Sequence, residues 1–129
     1  MIVDTSAVVA ILRNEPEAER FTDLLLAADE IRISAGTLLE VQIVALAYRS
    51  SADLAEVLDL VNAEVLPFDE RQAALALEGF EKFGKGRHPA NLNFGDCFAY
   101  AAARAWDEPL LFKGPAFSKT DVRTVSVPN

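Results

Sequence analysis

Met1-Ile2-Val3-Asp4-Thr5-Ser6 begins the sequence with an apolar pair, a carboxylate and two hydroxyls. Ile2-Val3 reads as a short buried strand, and Thr5-Ser6 stand where a helix is capped, so Asp4 falls at the strand's carboxyl end. In parallel sheets covered by helices, ligands bind beyond those ends. A second acid, Asp96, interrupts the run Phe94-Gly95-Asp96-Cys97-Phe98-Ala99-Tyr100 far along the chain. Carboxylates set into apolar segments are poor packing chemistry but good divalent-cation chemistry.

Working outward, residues 17–28 place Phe21, Leu24, Leu25 and Ala28 on one helical face, with Asn14 and Pro16 as starters. Ile31 to Ser34 alternates as a second strand, and Ala35 to Tyr48 is a strongly apolar helix. Residues 52–62 repeat the helical spacing, and Glu64 to Leu66 is a third strand. Asp69 with Gln72 has the form of a capping box for a helix reaching Phe83. Gly84 to Asn93 is a Gly, Pro and Asn-rich loop, and Asn93 caps a helix from Gly95 to Trp106. Leu110-Leu111-Phe112 is a fourth strand and Val122 to Val127 a fifth. Strands alternating with helices predict an α/β fold with a parallel sheet.

The bounds agree with that pattern. A chain of 129 residues is one domain, 1–129, long enough to bury a core, and 51% hydrophobic with 25% charged residues describes a soluble globular protein without a membrane span. The start of the chain does not read as a secretory signal, and the lone Cys97 forms no internal disulfide, so cytoplasmic residence is expected. A net charge of −8 argues against holding nucleic acid by bulk electrostatics. Contact bridged by a metal remains open to it. Basic residues do gather locally: Lys82, Lys85, Arg87 and His88 in one segment, Lys113, Lys119 and Arg123 in another.

Glu40 lies in Leu38-Leu39-Glu40-Val41-Gln42-Ile43-Val44, apolar nearly all round. Either Glu40 and Gln42 mark a narrow exposed edge, or a buried carboxylate there needs a positive partner. Asp96 in a helix's first turn serves as a cap in its own right. Asp4 has no such ordinary explanation, and the three acids together point to a metal site. Other chemistries have thinner support. His88 is the single histidine and lies beside Pro89, Cys97 reads as core, and Gly84-Lys85-Gly86 lacks P-loop spacing.

Taken in order, Met-Ile-Val-Asp-Thr-Ser-Ala, the helical Glu40, Gly84-Lys85-Gly86-Arg87-His88 through Asn91-Leu92-Asn93-Phe94-Gly95-Asp96-Cys97, and Leu110-Leu111-Phe112-Lys113-Gly114 with Phe117 and Thr120-Asp121 resemble the PIN-domain ribonucleases of the VapC toxin type. The resemblance covers essentially the whole chain. It implies a three-layer α/β/α fold around a mostly parallel sheet of four to five strands, RNA cleavage dependent on Mg²⁺ or Mn²⁺, a homodimer, and inhibition by a cognate VapB antitoxin. Asp4, Glu40 and Asp96 match the family's metal-site acids, and Thr5 or Ser6 its hydroxyl neighbour. Where the family carries a further acid before phenylalanine, this chain has Ala116; Asp121 is then a structural or outer residue of the site. Lys85, Arg87, His88 and Lys113 are the expected RNA contacts. The loss at position 116 leaves an alternative, a PIN module that binds antitoxin or RNA without efficient cleavage.

Overall fold

Four strands, β1 (Ile2–Val3), β2 (Arg32–Ser34), β3 (Glu64–Leu66) and β4 (Leu110–Leu111), form one sheet in the order β3-β2-β1-β4 in this computed structural model, which describes residues 1–126. Every pairing is parallel: Ile2 stands opposite both Arg32 and Leu110, and Arg32, Ile33 and Ser34 face Glu64, Val65 and Leu66. The chain builds outward from β1 through β2 to β3, then returns to β4 on the other side. The strand order thus reverses between β1 and β4, and the carboxyl ends at such a switch point are where sheets of this kind hold ligands.

Pleating divides the core in two, because consecutive strand residues point to opposite faces. Val3, Ile31 and Leu111 pack with α1 (Thr5–Leu12), α2 (Ala18–Ala27), α3 (Ala35–Ala47) and α4 (Ser51–Leu60). Ile2, Leu66 and Leu110 pack instead on Ala99, Tyr100, Ala102 and Ala103 of α6 (Phe94–Trp106). Buried Ala76 of α5 (Glu70–Phe83) in turn meets Cys97 and Ala101 of α6. Helices on both faces of a parallel sheet make the expected α/β layering. Among the described residues no helix is long and apolar enough to cross a membrane.

Several local expectations shift. Asp4 itself caps α1, so Thr5 and Ser6 are already helical. Asn14 adopts φ 50° in the turn after α1, and α2 starts only at Ala18. Asp69 accepts from the Gln72 amide at 2.9 Å, while Gln72 is buried; the complete, reciprocal box belongs to Asn93 and Asp96. The fifth strand contracts to one bridge between Leu110 and Thr124, since a two-residue β4 offers a partner little length to pair with. Val127 lies outside the described residues. A 3₁₀ turn at Phe117–Lys119 inserts Phe117 into the second core.

The amino edge of the sheet is closed by charge. Arg32 bonds Glu108 at 2.5 Å, Glu30 at 2.8 Å and Glu64 at 3.0 Å, and its guanidinium lies 4.6 Å from the centre of the Trp106 ring. Among the described residues, the acids Asp4, Glu40 and Asp96 at the carboxyl side are held by Ser6, Thr5 and Asn93 rather than by a cation.

Candidate active site

Asp4 is carried past the end of β1 by the ladder itself: its amide donates to the Leu111 carbonyl at 3.0 Å, continuing the β1–β4 pairing by one residue. Asp4 is only 3% exposed. Its Oδ2 accepts from the Ser6 amide at 3.1 Å and the Ser6 hydroxyl at 2.6 Å, whereas Oδ1 is buried and has no hydrogen-bond partner. Burial raises the carboxyl pKa to about 6 against the opposing pull of the Ser6 bonds, with Asp96 and Glu40 adding like-charge repulsion. Ser6 is fixed from the other side, because its Oγ accepts from the Lys113 amide at 2.9 Å. That acceptance leaves the hydroxyl proton for Asp4.

Glu40 reaches the same place from α3. Its Oε1 accepts from the Thr5 hydroxyl at 2.5 Å, and its Oε2 lies only 2.2 Å from where a side-chain carbon on Gly95 would stand. Glycine at this position is therefore a condition of the approach. Asp96 follows on the first turn of α6, where its Oδ2 accepts from the Asn93 amide at 3.0 Å and its own amide donates to Asn93 Oδ1 at 2.9 Å. Burial raises the Asp96 pKa, the Asn93 bond opposes, and Glu40 adds repulsion.

The three expected acids are thus electrostatically coupled from three elements. Among the described residues, though, no three His, Cys, Asp or Glu side chains already enclose one point closely enough to hold a metal. Thr5 draws Glu40 toward α1, and the capping box draws Asp96 back on Asn93.

The remaining candidates distribute unevenly. Both oxygens of Asp121 are engaged, by the Tyr100 hydroxyl at 2.8 Å and Arg104 at 2.9 Å, which pins the C-terminal segment to α6. The Lys113 ammonium pairs with Glu15 at 3.2 Å and Glu17 at 2.9 Å, so it is held toward the α1–α2 turn. Lys85 and Arg87 are exposed on a loop clasped at its base by the Lys85 amide on Leu92 at 2.8 Å and the Leu92 amide on Phe83 at 3.0 Å. His88 Nδ1 accepts from the Ala90 amide at 3.0 Å, and the ring meets Phe83 edge-on. Ala116 is half-buried and packs against the second core, not in an open loop, because Phe117 beside it is a core residue. Burial lifts the Cys97 thiol to about 11, which makes it a poor nucleophile.

Sequence reasoning missed two contributors. Gly95 stands in the first turn of α6, where the sequence carries no signal that a glycine is needed; its reason is the approach of Glu40 from a distant helix. Phe94 is 80% exposed and forms the ridge between a groove of about 360 Å³ beside Glu40 and one of about 430 Å³ reaching Phe80 and Cys97.

Residues 1–123 match the PIN domain family. The chain is 47% identical over 127 residues to VapC ribonuclease Mb0625 of Mycobacterium bovis, covering 95% of this chain and 96% of that protein. Ribonuclease VapC30 of Mycobacterium tuberculosis is 42% identical over 133 residues, 99% of this chain and 100% of the relative. In fold, the VapBC2 structure from Rickettsia felis, bound to a DNA fragment from its promoter, superposes with a TM-score of 0.68 at 18% identity, covering 97% of this chain and 96% of that one. A toxin-antitoxin complex from Klebsiella pneumoniae gives 0.67 at 17% identity over 88% of this chain and 85% of that one. With a whole-length match in sequence and a parallel sheet that brings its acids to one crevice, the chain belongs to the PIN-domain family, among the relatives of the VapC ribonucleases.

Proposed function

We propose that this protein is an endoribonuclease toxin that uses Mg²⁺ or Mn²⁺ held by Asp4, Glu40 and Asp96, and that a VapB-type antitoxin restrains it. The observation that carries this reading is Asp4, whose Oδ1 is buried without a partner while Ser6 holds Oδ2 in place. A buried acceptor left unsatisfied costs about 1–3 kcal/mol, so its retention calls for a partner. Glu40 and Asp96, coupled to Asp4 through space, would have to turn from Thr5 and the Asn93 amide to join it in an all-oxygen donor set, the kind that suits a hard divalent cation. When bound, the cation lowers the pKa of an attacking water and stabilises charge on the phosphate.

The chain's own residues then have definite tasks. Ser6 fixes the Asp4 carboxylate, Thr5 steadies Glu40, and Gly95 admits Glu40 to the first turn of α6. Water is the nucleophile and no covalent enzyme intermediate forms. Lys85 and Arg87, exposed on the clasped loop leading toward Asn93, guide the phosphate backbone. Exposed Leu39, Ile43 and Leu46 on α3 supply apolar surface for an antitoxin helix, and an antitoxin Arg or Lys facing Asp4 or Asp96 would neutralise the acids. A cytoplasmic homodimer is part of the same proposal.

Ala116 favours one alternative, a PIN module that binds antitoxin or RNA but cleaves poorly. Single-turnover cleavage in Mg²⁺, Mn²⁺ and EDTA, with Asp4→Asn as control, decides between them. Cation-dependent cleavage that drops about 10²-fold or more in Asp4→Asn supports the nuclease, on the scale of losing one electrostatic stabiliser. Cleavage that survives EDTA overturns the metal site, and binding without cleavage selects the alternative.

A further inference from the structure

At 80% exposure Phe94 is the most open of the large apolar side chains among the described residues, and it stands beside the acids. It is the first residue of α6; Gly95 next to it abuts Glu40, and Asp96 follows. The ring is braced. It meets Phe98 at 5.2 Å and 82°, and Phe98 meets Phe68 at 4.7 Å and 72°. A rigid aromatic face left bare to water contributes little to the core.

Charge decides what that face suits. With a net charge of −8 and three acids in the crevice, the site repels phosphates, and the nearby Lys113 ammonium is already engaged by Glu15 and Glu17. Lys85 and Arg87 lie on the loop before α6, so beside the acids themselves part of the affinity for RNA has to come from contacts that do not depend on countercharge. Stacking is such a contact, worth about 1–3 kcal/mol per base and tolerant of sequence.

Resting on the ribonuclease reading above, we infer that Phe94 is the stacking platform for one unpaired nucleobase, which sets the strand beside Glu40 and Asp96. In a duplex the base faces are occupied by neighbouring pairs, so a paired strand cannot be seated in this way.

The test compares wild type with Phe94→Trp, Phe94→Leu and Phe94→Ala on one short RNA, single-stranded and annealed to its complement, in Mg²⁺. Phe94→Ala is expected to raise KM for the single strand about 10-fold with kcat nearly unchanged, from the loss of one stacked base. Tryptophan should restore KM and leucine should not, while the duplex stays uncut throughout. A second readout needs no cleavage: quenching of 2-aminopurine fluorescence in the single strand is expected with phenylalanine or tryptophan at this position and not with leucine. Quenching without cleavage by the wild type would keep the platform and sink the nuclease. Cleavage indifferent to the ring, a leucine variant equal to wild type, or an unchanged KM alongside lost antitoxin binding would overturn the platform and assign Phe94 to the protein partner.

Discussion

The Glu40 carboxylate occupies the space that a side chain on Gly95 would take, with Oε2 only 2.2 Å from the position of the missing carbon. Gly95→Ala must therefore move the flexible end of Glu40 or the helix, and the side chain is easier to move. Cleavage is expected to fall about 10²-fold, by displacement of one charged group from the reacting centre. The crowding atom is the tip of a flexible side chain that can swing away, so thermal stability should hold. Parallel cleavage and melting measurements check this; a protein that unfolds while its residual active fraction is normal would refute it.

Asp4 ties stability to pH. Its folded pKa of about 6 lies above the ordinary aspartate value of 3.8, so the unfolded state ionises first. The contribution is fully present below pH 4 and is lost as pH rises through 6, the reverse of a carboxylate held by a cation. In EDTA, Asp4→Asn should be more stable than wild type at pH 7.5 by on the order of 2–3 kcal/mol, with the gap closing toward pH 4. Asp96, raised in the same direction, adds to the slope. Added Mg²⁺ should stabilise the wild type and not the variant. Denaturant melts at both pH values measure it, and a gap independent of pH contradicts it.

Ala116→Asp should raise cation-dependent cleavage by about 10²-fold if a further acid is what the site lacks. Because Ala116 packs against the second core, a stability loss of about 1 kcal/mol should accompany the gain. Equal single-turnover rates in Mg²⁺ and Mn²⁺ would place position 116 outside the working site.

Asp121 should prove structural. Asp121→Asn weakens its bonds to Tyr100 and Arg104, and about 1–2 kcal/mol of stability should go with them. Cleavage per folded molecule should stay within a factor of about two, since no reacting group is touched. A large drop in kcat at full folding would return Asp121 to the site.

What the sequence made legible follows from periodicity. Strands β1 to β3 and helices α3, α5 and α6 lie where apolar spacing and caps put them, because those signals are local. Asp4, Glu40 and Asp96 were found as acids out of place. Their partners were not, since Thr5 meeting Glu40, Ser6 meeting Lys113 and Gly95 meeting Glu40 join residues far apart in the chain. The fifth strand failed for a similar reason: Val122 to Val127 has strand composition, but its length of pairing was set by the shortness of β4. The charge of Lys113 was visible, but its pairing with Glu15 and Glu17 was not, being a contact between distant parts of the chain.

The bond that reaches Ser6 comes from the main chain of Lys113, not its side chain. Any residue with an amide hydrogen can make it, and proline alone is barred. The orientation of Asp4 is thus insulated from the identity of its neighbour. Replacing the side chain at position 113 would change what the rim of the site presents to an incoming strand while leaving the carboxylate behind it in the same pose.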